Sequence, residues 1–203
     1  CTPSEKSARE LAEMMVGTTL KTPERHAKPS GAPLLAVTHL SLPSPSHFGT
    51  ALKDVSFSVR PGEVLGIGGV AGNGQDELLG ALSGELLARP GSVALEGQDI
   101  SRHGPVKRRA AGLLCAPEER LGHAAAPDMS LTENAALTAA ARQGMLQRGF
   151  VDWKKARLFA ERVIKAFDVR TPGAHTAARA LSGGNLQKFV IGREVLQTPL
   201  VLV

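Results

Sequence analysis

A glycine-rich loop between a β-rich run and a helical pattern constrains the fold of this chain most strongly. Residues 64–68 (VLGIG) are short and apolar, and leucines recur at helical spacing after residue 75. Gly69 and Gly74 match a G-x-x-x-x-G frame, and Gly72 adds a third glycine. Glycines let backbone N–H groups curl around an anion that side chains would otherwise block. We therefore expect a strand, a phosphate-binding loop and a helix in this order.

This loop, residues 69–76, is called the P-loop below, although it departs from the P-loop pattern. Gln75 stands where a lysine contacts the outer phosphates, and Asp76 stands where Ser or Thr holds magnesium. Losing the lysine removes a charge-assisted contact worth roughly 1.5–3 kcal/mol. An ionised Asp76 adds repulsion of about 4 kcal/mol per charge pair at short range, which a bound magnesium ion could offset in part. The P-loop, including Asn73, is predicted to bind nucleotide weakly and hydrolyse it poorly.

A second glycine motif follows about a hundred residues later, directly before the apolar run 189–196. Ser182 is predicted to be a helix N-cap, and the glycines leave N–H groups open at the positive end of the helix dipole. Phosphate is the natural ligand of such a site. Taken alone, the motif also fits a turn that only caps a helix. Its residues, called the signature loop below, are Leu181, Ser182, Gly183, Gly184 and Asn185.

The P-loop and the signature loop together resemble the ATP-binding domain of ABC transporters, over about residues 34–203. Residues 116–120 (APEER) follow the apolar run 112–115, where that family has its Q-loop. Residues 116–120 are called the Q-loop segment, and Glu118 occupies the position where the family usually has Gln. Residues 130–134 (SLTEN) resemble a helix start of the same family.

Phe48 resembles the aromatic residue that stacks on adenine in this family, because it lies just before residues 51–57 (ALKDVSF). It also fits an ordinary loop aromatic. The variant motifs GNGQ at 72–75, PEER at 117–120 and GGN at 183–185 resemble one branch of the family. That branch is the second, C-terminal half of the fused tandem ATPases that energise bacterial uptake of monosaccharides and nucleosides, where this P-loop is typically degenerate.

The resemblance implies two ATPase halves that face head to tail and sandwich two ATP molecules, with Mg²⁺ as the second cofactor. Each ATP lies between the P-loop of one half and the signature loop of the other. The implied partners are the sister half in the same polypeptide, membrane permease subunits and a separate solute-binding protein. The implied location is the cytoplasmic face of the bacterial inner membrane, as a peripheral protein. No residue of this chain is assigned a catalytic or metal-ligating role.

The fold expected is an α/β P-loop domain of the ABC type, with an antiparallel β subdomain and a helical subdomain. The predicted elements are antiparallel strands at 34–42 and 52–60, a hairpin around Gly97, a helix at 105–111 and a helical block at 130–167. Ser130 and Glu133 form a predicted capping box that opens the helix 131–141. Phe159, Val163, Ile164 and Phe167 repeat at helical spacing and are predicted core.

Both ends predict a piece of a longer protein. Residues 1–20 resemble the closing helix of a preceding ATPase half, and residues 21–33 are predicted to be a linker. A flexible N-terminal helix of the same domain is the alternative. Residues 199–203 are an apolar strand that, in the resembled family, leads into the acidic magnesium segment and the switch histidine. Because those segments are not in this chain, the chain alone is predicted to be inactive as an ATPase.

Composition argues against other classes of protein. No run of 18 apolar residues spans a bilayer, and the histidines lack metal-ligand spacing. The net charge of +5 invites a nucleic-acid interpretation, but only 3% of residues are aromatic and none is Tyr. The basic runs 107–109 and 154–155 are instead predicted to form a solvated face or to lie near anionic lipid headgroups. A non-transport ABC ATPase acting on nucleic acid or the ribosome remains the alternative, whereas a small-molecule P-loop kinase leaves the signature loop unexplained.

Overall fold

The computed structural model describes residues 7, 10, 14, 31–44 and 49–203. The helix predicted in residues 1–20, most of the predicted linker and Phe48 therefore lie outside the described residues.

An antiparallel sheet forms one side of the molecule. Its strands are β1 (Leu35–Leu42), β2 (Leu52–Val59), β3 (Val93–Leu95) and β4 (Gln98–Asp99). Their order across the sheet is β2-β1-β3-β4, and every neighbouring pair is antiparallel. The predicted antiparallel start is confirmed by the pairing of β1 with β2. The predicted hairpin is confirmed by the pairing of β3 with β4, and Gly97 in the turn between them has a φ of 78°.

Helix α1 (Gln75–Ser83) follows the P-loop and packs its buried leucines, Leu78 and Leu82, into the core that the sheet also lines. It ends one turn earlier than the leucine pattern predicts. Gly84 stops it with a φ of 88°, and a Cβ there would lie 2.6 Å from the carbonyl oxygen of His103. A glycine is therefore required at this position, and the chain turns sharply beyond it.

The segment 64–68 does not form the predicted strand: it pairs with no other strand in the described part of the chain. Val64 is 95% exposed and Ile67 is 53% exposed. An extended segment becomes a strand only when a neighbour takes up its backbone hydrogen bonds. The strand predicted from the apolar, β-rich residues of this segment is therefore wrong, because the local sequence does not show whether a neighbouring strand pairs with it.

A short parallel pair lies beside α2 (Pro105–Ala111). It consists of β5 (Leu113–Leu114) and β8 (Val201–Leu202), so the apolar runs at 112–115 and 199–203 are both strands, as predicted. Cys115 directly follows β5 and is a buried free thiol. Burial raises its pKa to about 11, so the thiol is neutral near pH 7.

The helical block contains α3 (Leu131–Ala139), the hairpin β6–β7 (Leu146–Gln147 and Phe150–Val151) and α4 (Trp153–Ala166). A short 3₁₀ helix (Ala178–Ala180) leads to α5 (Gly183–Val195). The capping box is confirmed: Ser130 Oγ accepts from the Glu133 N–H, and Glu133 Oε2 accepts from the Ser130 N–H at 2.7 Å. The core predicted in α4 is confirmed, and it packs against α3 and α5.

The basic run 107–109 is only partly solvated: Lys107 is exposed as predicted, whereas for Arg108 the prediction is wrong. Arg108 is fully buried and donates to the carbonyl oxygens of Leu82 at 2.9 Å and His103 at 2.8 Å. Those carbonyls lie at the end of α1 and in the turn before α2, where they lack helical partners. Arg108 thus fixes the direction in which the chain leaves α1.

Among the described residues, no helix has the length and apolar character needed to cross a bilayer. In the same residues, His, Cys, Asp and Glu side chains form no group of three or more that could hold a metal ion.

Candidate functional site

The P-loop has the backbone conformation that its glycines predict. Gly72 and Gly74 have φ values of 84° and 100°, in the left-handed region, and Gly74 is the N-cap of α1. Thr50 holds the loop from outside, since its Oγ donates to the Gly72 carbonyl at 2.8 Å. The Thr50 N–H in turn donates to Glu77 Oε1 in the first turn of α1, at 2.8 Å. The loop is therefore fixed at both its apex and its helix.

The side chain of Gln75 folds back over the P-loop. Its Oε1 accepts a hydrogen bond from the Asn73 N–H at 3.0 Å, and its Nε2 donates to the Val70 carbonyl at 3.0 Å. A Cβ at Gly69 would lie only 2.7 Å from Gln75 Nε2. Gln75 is thus a bridge across the loop as well as the residue that replaces the expected lysine. Asp76, the next residue, is exposed.

The Q-loop segment meets the P-loop helix at a cavity of about 570 Å³. Asp76 and Glu118 both line it, so the structure brings these two sequence-predicted residues to one space. His123 Nε2 lies 2.9 Å from Glu85 Oε1, which joins the loop after the Q-loop segment to the turn after α1. The carboxylates of Asp76 and Glu118 are both free of ion pairs among the described residues.

The signature loop starts α5 as predicted, but its N-cap differs from the expectation. Ser182 occupies the N-cap position without making a side-chain capping bond. Its Oγ instead accepts from Asn185 Nδ2 at 2.9 Å, and Asn185 Oδ1 accepts from the Arg170 N–H at 2.9 Å. In the described part of the chain, nothing accepts from the N–H groups of Gly183 and Gly184. These donors remain open at the helix start.

The two glycines of the signature loop differ in their surroundings. A Cβ on Gly184 would meet no described residue within 4 Å, whereas one on Gly183 would lie 3.0 Å from Arg120 Nη1. Arg120, in the Q-loop segment, therefore places a guanidinium beside the start of α5. Among the described residues, Arg120 makes no ion pair with Glu118 or Glu119.

A second cavity, of about 390 Å³, separates the Q-loop segment from α5. Glu118 and Arg120 line this cavity as well as the one beside the P-loop helix. Asp76 of the P-loop and the first turns of α5 beyond the signature loop thus border different spaces, and the Q-loop segment lines both. Leu181, the first residue of the signature loop, packs against the apolar clusters on both sides.

A buried ionic network holds α5 in place. Arg193 and Glu194 are 2% and 0% exposed, and Arg193 Nε donates to Glu194 Oε1 at 2.8 Å. Glu194 also pairs with Arg109 of α2. Burial lowers the pKa of Arg193, while Glu194 opposes that shift. Arg193 and Glu194 compensate each other's charge in a site from which water is excluded.

The same arginine connects α5 to two other elements. Arg193 Nη2 donates to the carbonyl of Ala124 at 2.8 Å, in the loop after the Q-loop segment, and Nη1 donates to that of Asn134 in α3 at 3.1 Å. Asn134 belongs to the SLTEN motif and bonds both backbone groups of Ala126. The roles of Arg193, Glu194 and Arg109 were not predicted from the sequence, because nothing in their spacing distinguishes a buried charged side chain from a solvated one.

Comparison with known proteins places this geometry in a family. Residues 52–203 match the family described as "ABC transporter". The chain belongs to this family. Solved structures share the fold: the ATP-binding cassette MJ1267 has a TM-score of 0.62 at 20% identity and covers 85% of this chain and 68% of that one. The dimeric cassette MJ0796, bound to ADP and phosphate, has a TM-score of 0.65 at 18% identity and covers 83% of this chain and 72% of that one. The predicted fold class is confirmed.

Curated relatives are import ATP-binding proteins. The guanosine import ATP-binding protein NupO of Bacillus subtilis is 39% identical over 201 residues, with 96% of this chain and 38% of NupO covered. The nucleoside import protein NupA of Lactococcus lactis is 34% identical, covering 98% and 39%. The ribose import protein RbsA 1 of Streptomyces avermitilis is 38% identical, covering 99% and 37%. The chain therefore spans well under half the length of these relatives.

Proposed function

We propose that this chain is part of the ATP-binding subunit of an ABC importer for simple sugars or nucleosides, and that it forms the second of two ATPase halves. The observation that carries the proposal is the contrast between an open signature loop and a P-loop that lacks its lysine. The names of the relatives support the solute class, since they import guanosine, nucleosides and ribose. The solute itself is chosen by other subunits.

The signature loop is the working part of this half. The N–H groups of Gly183 and Gly184, together with the Ser182 hydroxyl, bind the γ-phosphate of an ATP held on the P-loop of the sister half. Open donors at a helix start favour an anion, and they need no reorganisation when it arrives. This half thereby completes a competent site while its own P-loop contributes little hydrolysis. The isolated chain has no meaningful ATPase activity.

Magnesium fits the space between the P-loop helix and the Q-loop segment. Asp76 and Glu118 offer carboxylate oxygens to the same cavity, and Mg²⁺ prefers oxygen ligands together with phosphate. When bound, the ion would neutralise phosphate charge. Asp76 and Glu118 would hold it, and without it they would repel the nucleotide. Glu118 lies between β5 and the helical block, so we assign it to coupling between the Q-loop segment and that block. Its carboxylate can accept a hydrogen bond but cannot donate one as the usual glutamine amide does.

The helical block offers a docking surface for the membrane permease subunits. Exposed apolar side chains concentrate on its hairpin and the following helix, where Phe150 is 79% exposed, Leu158 56% and Trp153 54%. Such side chains favour a protein partner over water. This docking places the subunit peripherally on the cytoplasmic face of the inner membrane. A separate solute-binding protein delivers the solute from the other side.

Transport by the full-length protein in proteoliposomes with its permease tests this proposal. Ser182→Arg should abolish ATP-driven uptake, because the larger, charged side chain fills the space for the sister site's γ-phosphate. Gln75→Ala should reduce uptake much less. The exposed Gln98→Ala in β4 serves as the control that leaves uptake unchanged. The proposal fails if Gln75→Ala abolishes uptake and Ser182→Arg retains it.

A further inference from the structure

A polar side chain of the P-loop itself bonds one of the loop's backbone donors. In a P-loop, backbone N–H groups point into a concave space and donate to phosphate. Here the Asn73 N–H is shared: it donates to Gln75 Oε1 at 3.0 Å and to the backbone carbonyl of Val70 at 3.2 Å. The carboxamide also reaches back to the Val70 carbonyl and lies against Gly69. One side chain therefore spans the loop from its first glycine to its helix.

The chemistry of glutamine suits this bridge. A carboxamide presents an acceptor and a donor, and the P-loop offers one of each, the Asn73 N–H and the Val70 carbonyl. A lysine ammonium has three donors and no acceptor, so it cannot take the Asn73 N–H and stays available to a phosphate. The replacement at position 75 thus removes a ligand contact and adds a competitor for the same backbone donor.

The surrounding glycines favour this arrangement. At Gly69 a side chain would collide with Gln75 Nε2, 2.7 Å from the position of a Cβ. Gly72 has a φ of 84°, and a Cβ there would meet no described residue within 4 Å. The P-loop therefore keeps its curled backbone while the Gln75 side chain lies across it and takes up one of its N–H donors. Its weak binding does not require a distorted backbone.

We infer that the Gln75 side chain is an internal occupant of the P-loop, which phosphate must displace before nucleotide can bind there. This inference rests on the proposed function only in taking nucleotide phosphate as the ligand class. Removing the side chain should strengthen phosphate binding at this loop, which is the opposite of what loss of a ligand contact does. Because the Asn73 N–H is shared with the Val70 carbonyl, we place the two hydrogen bonds in the lower part of the ordinary net range, together about 1–2 kcal/mol, which corresponds to a gain of about five- to thirtyfold.

Amide hydrogen exchange in the full-length protein, titrated with inorganic pyrophosphate, tests this inference. Mass spectrometry of the peptide covering residues 69–78 reports on this loop alone, whatever binds to a sister half. Without pyrophosphate, Gln75→Ala should exchange faster in this peptide than the wild type, because the Asn73 N–H loses the closer of its two acceptors and keeps only the Val70 carbonyl at 3.2 Å. The midpoint of protection should move to about five- to thirtyfold lower pyrophosphate.

Gln75→Glu provides the matched variant of equal length. Its carboxylate keeps an acceptor for the Asn73 N–H but repels the anion, so the midpoint should move to higher pyrophosphate. Gln98→Ala, on the exposed strand β4, should match the wild type. A purely structural role for Gln75 would lower protection and affinity together in both variants.

The inference is overturned if Gln75→Ala binds pyrophosphate equally or more weakly, or if pyrophosphate protects this peptide in no variant. The proposed function fails separately, if transport is retained in Ser182→Arg and lost in Gln75→Ala. Tighter pyrophosphate binding by Gln75→Ala together with that transport result would support the inference and reject the assignment of the working signature loop.

Discussion

The P-loop and the signature loop share one design and differ in the state of their backbone donors. Each is a glycine-rich turn at the start of a helix. In the P-loop, Gln75 lies two residues after the Asn73 N–H and bends back onto it. In the signature loop, Asn185 turns instead to Ser182 Oγ and the Arg170 N–H, which leaves Gly183 and Gly184 open. A single amide side chain therefore closes one loop, whereas another supports the open one.

The two helices are also held in place differently, and the largest effect should come from breaking the support of the signature helix. Glu194→Ala leaves Arg193 and Arg109 without their carboxylate in a buried site. It should lower the free energy of unfolding by about 3–5 kcal/mol. Urea unfolding measures this, with the exposed Glu161→Ala in α4 as a control that changes it by about 0.5 kcal/mol or less. Equal effects of the two substitutions would show that the network does not hold α5.

Glycine-to-alanine substitutions should affect the stability of the two loops differently, with a smaller effect than the loss of Glu194. Gly72 needs a φ of 84°, so Gly72→Ala should cost about 1–2 kcal/mol of unfolding free energy. Gly184 is outside the left-handed region and open, so Gly184→Ala should change stability little. Thermal unfolding of both variants measures the difference. Two equal losses would mean that the signature glycine is required for backbone shape and not for access.

The N-caps of α3 and α5 also differ, and substituting them should give the smallest change in the free energy of unfolding. Ser130 caps α3 with its side chain, so Ser130→Ala should cost about 1 kcal/mol. Ser182 makes no capping bond, so Ser182→Ala should cost clearly less. Urea unfolding at pH 7 compares them. A larger loss for Ser182→Ala would show that its hydroxyl stabilises the helix start after all.

The cap of α3 should also respond to pH. Hydrogen bonds from Ser130 lower the pKa of Glu133 below its ordinary value of 4.5. A carboxyl whose pKa is lower in the folded state contributes stability above its unfolded pKa and loses that contribution as pH falls through the folded value. The difference in stability between the wild type and Glu133→Gln should therefore shrink below about pH 4.5. A difference that is constant from pH 7 to pH 3 would contradict it.

Local patterns predicted much of this molecule. The glycine spacing of the two loops, the hairpin at Gly97 and the capping box at Ser130 each depend on a few adjacent residues. The burial of Arg108, Arg193 and Glu194 could not be predicted, because it depends on carbonyls and on a charge, that of Arg109, far away in the chain. The missing strand at 64–68 has the same cause, since a strand depends on its neighbour. Gln75 was predicted only as an absent lysine; its bridge needed the folded loop.

Nucleotide-dependent hydrogen exchange in the full-length protein with its permease tests the central claim most directly. We compare a peptide covering residues 69–78 with one covering residues 181–187, with and without ATP. The account predicts strong protection of the signature peptide by ATP bound on the sister half. It predicts little change in the P-loop peptide, where Gln75 already takes up a donor. Strong protection of the P-loop peptide with none at the signature loop would contradict the account.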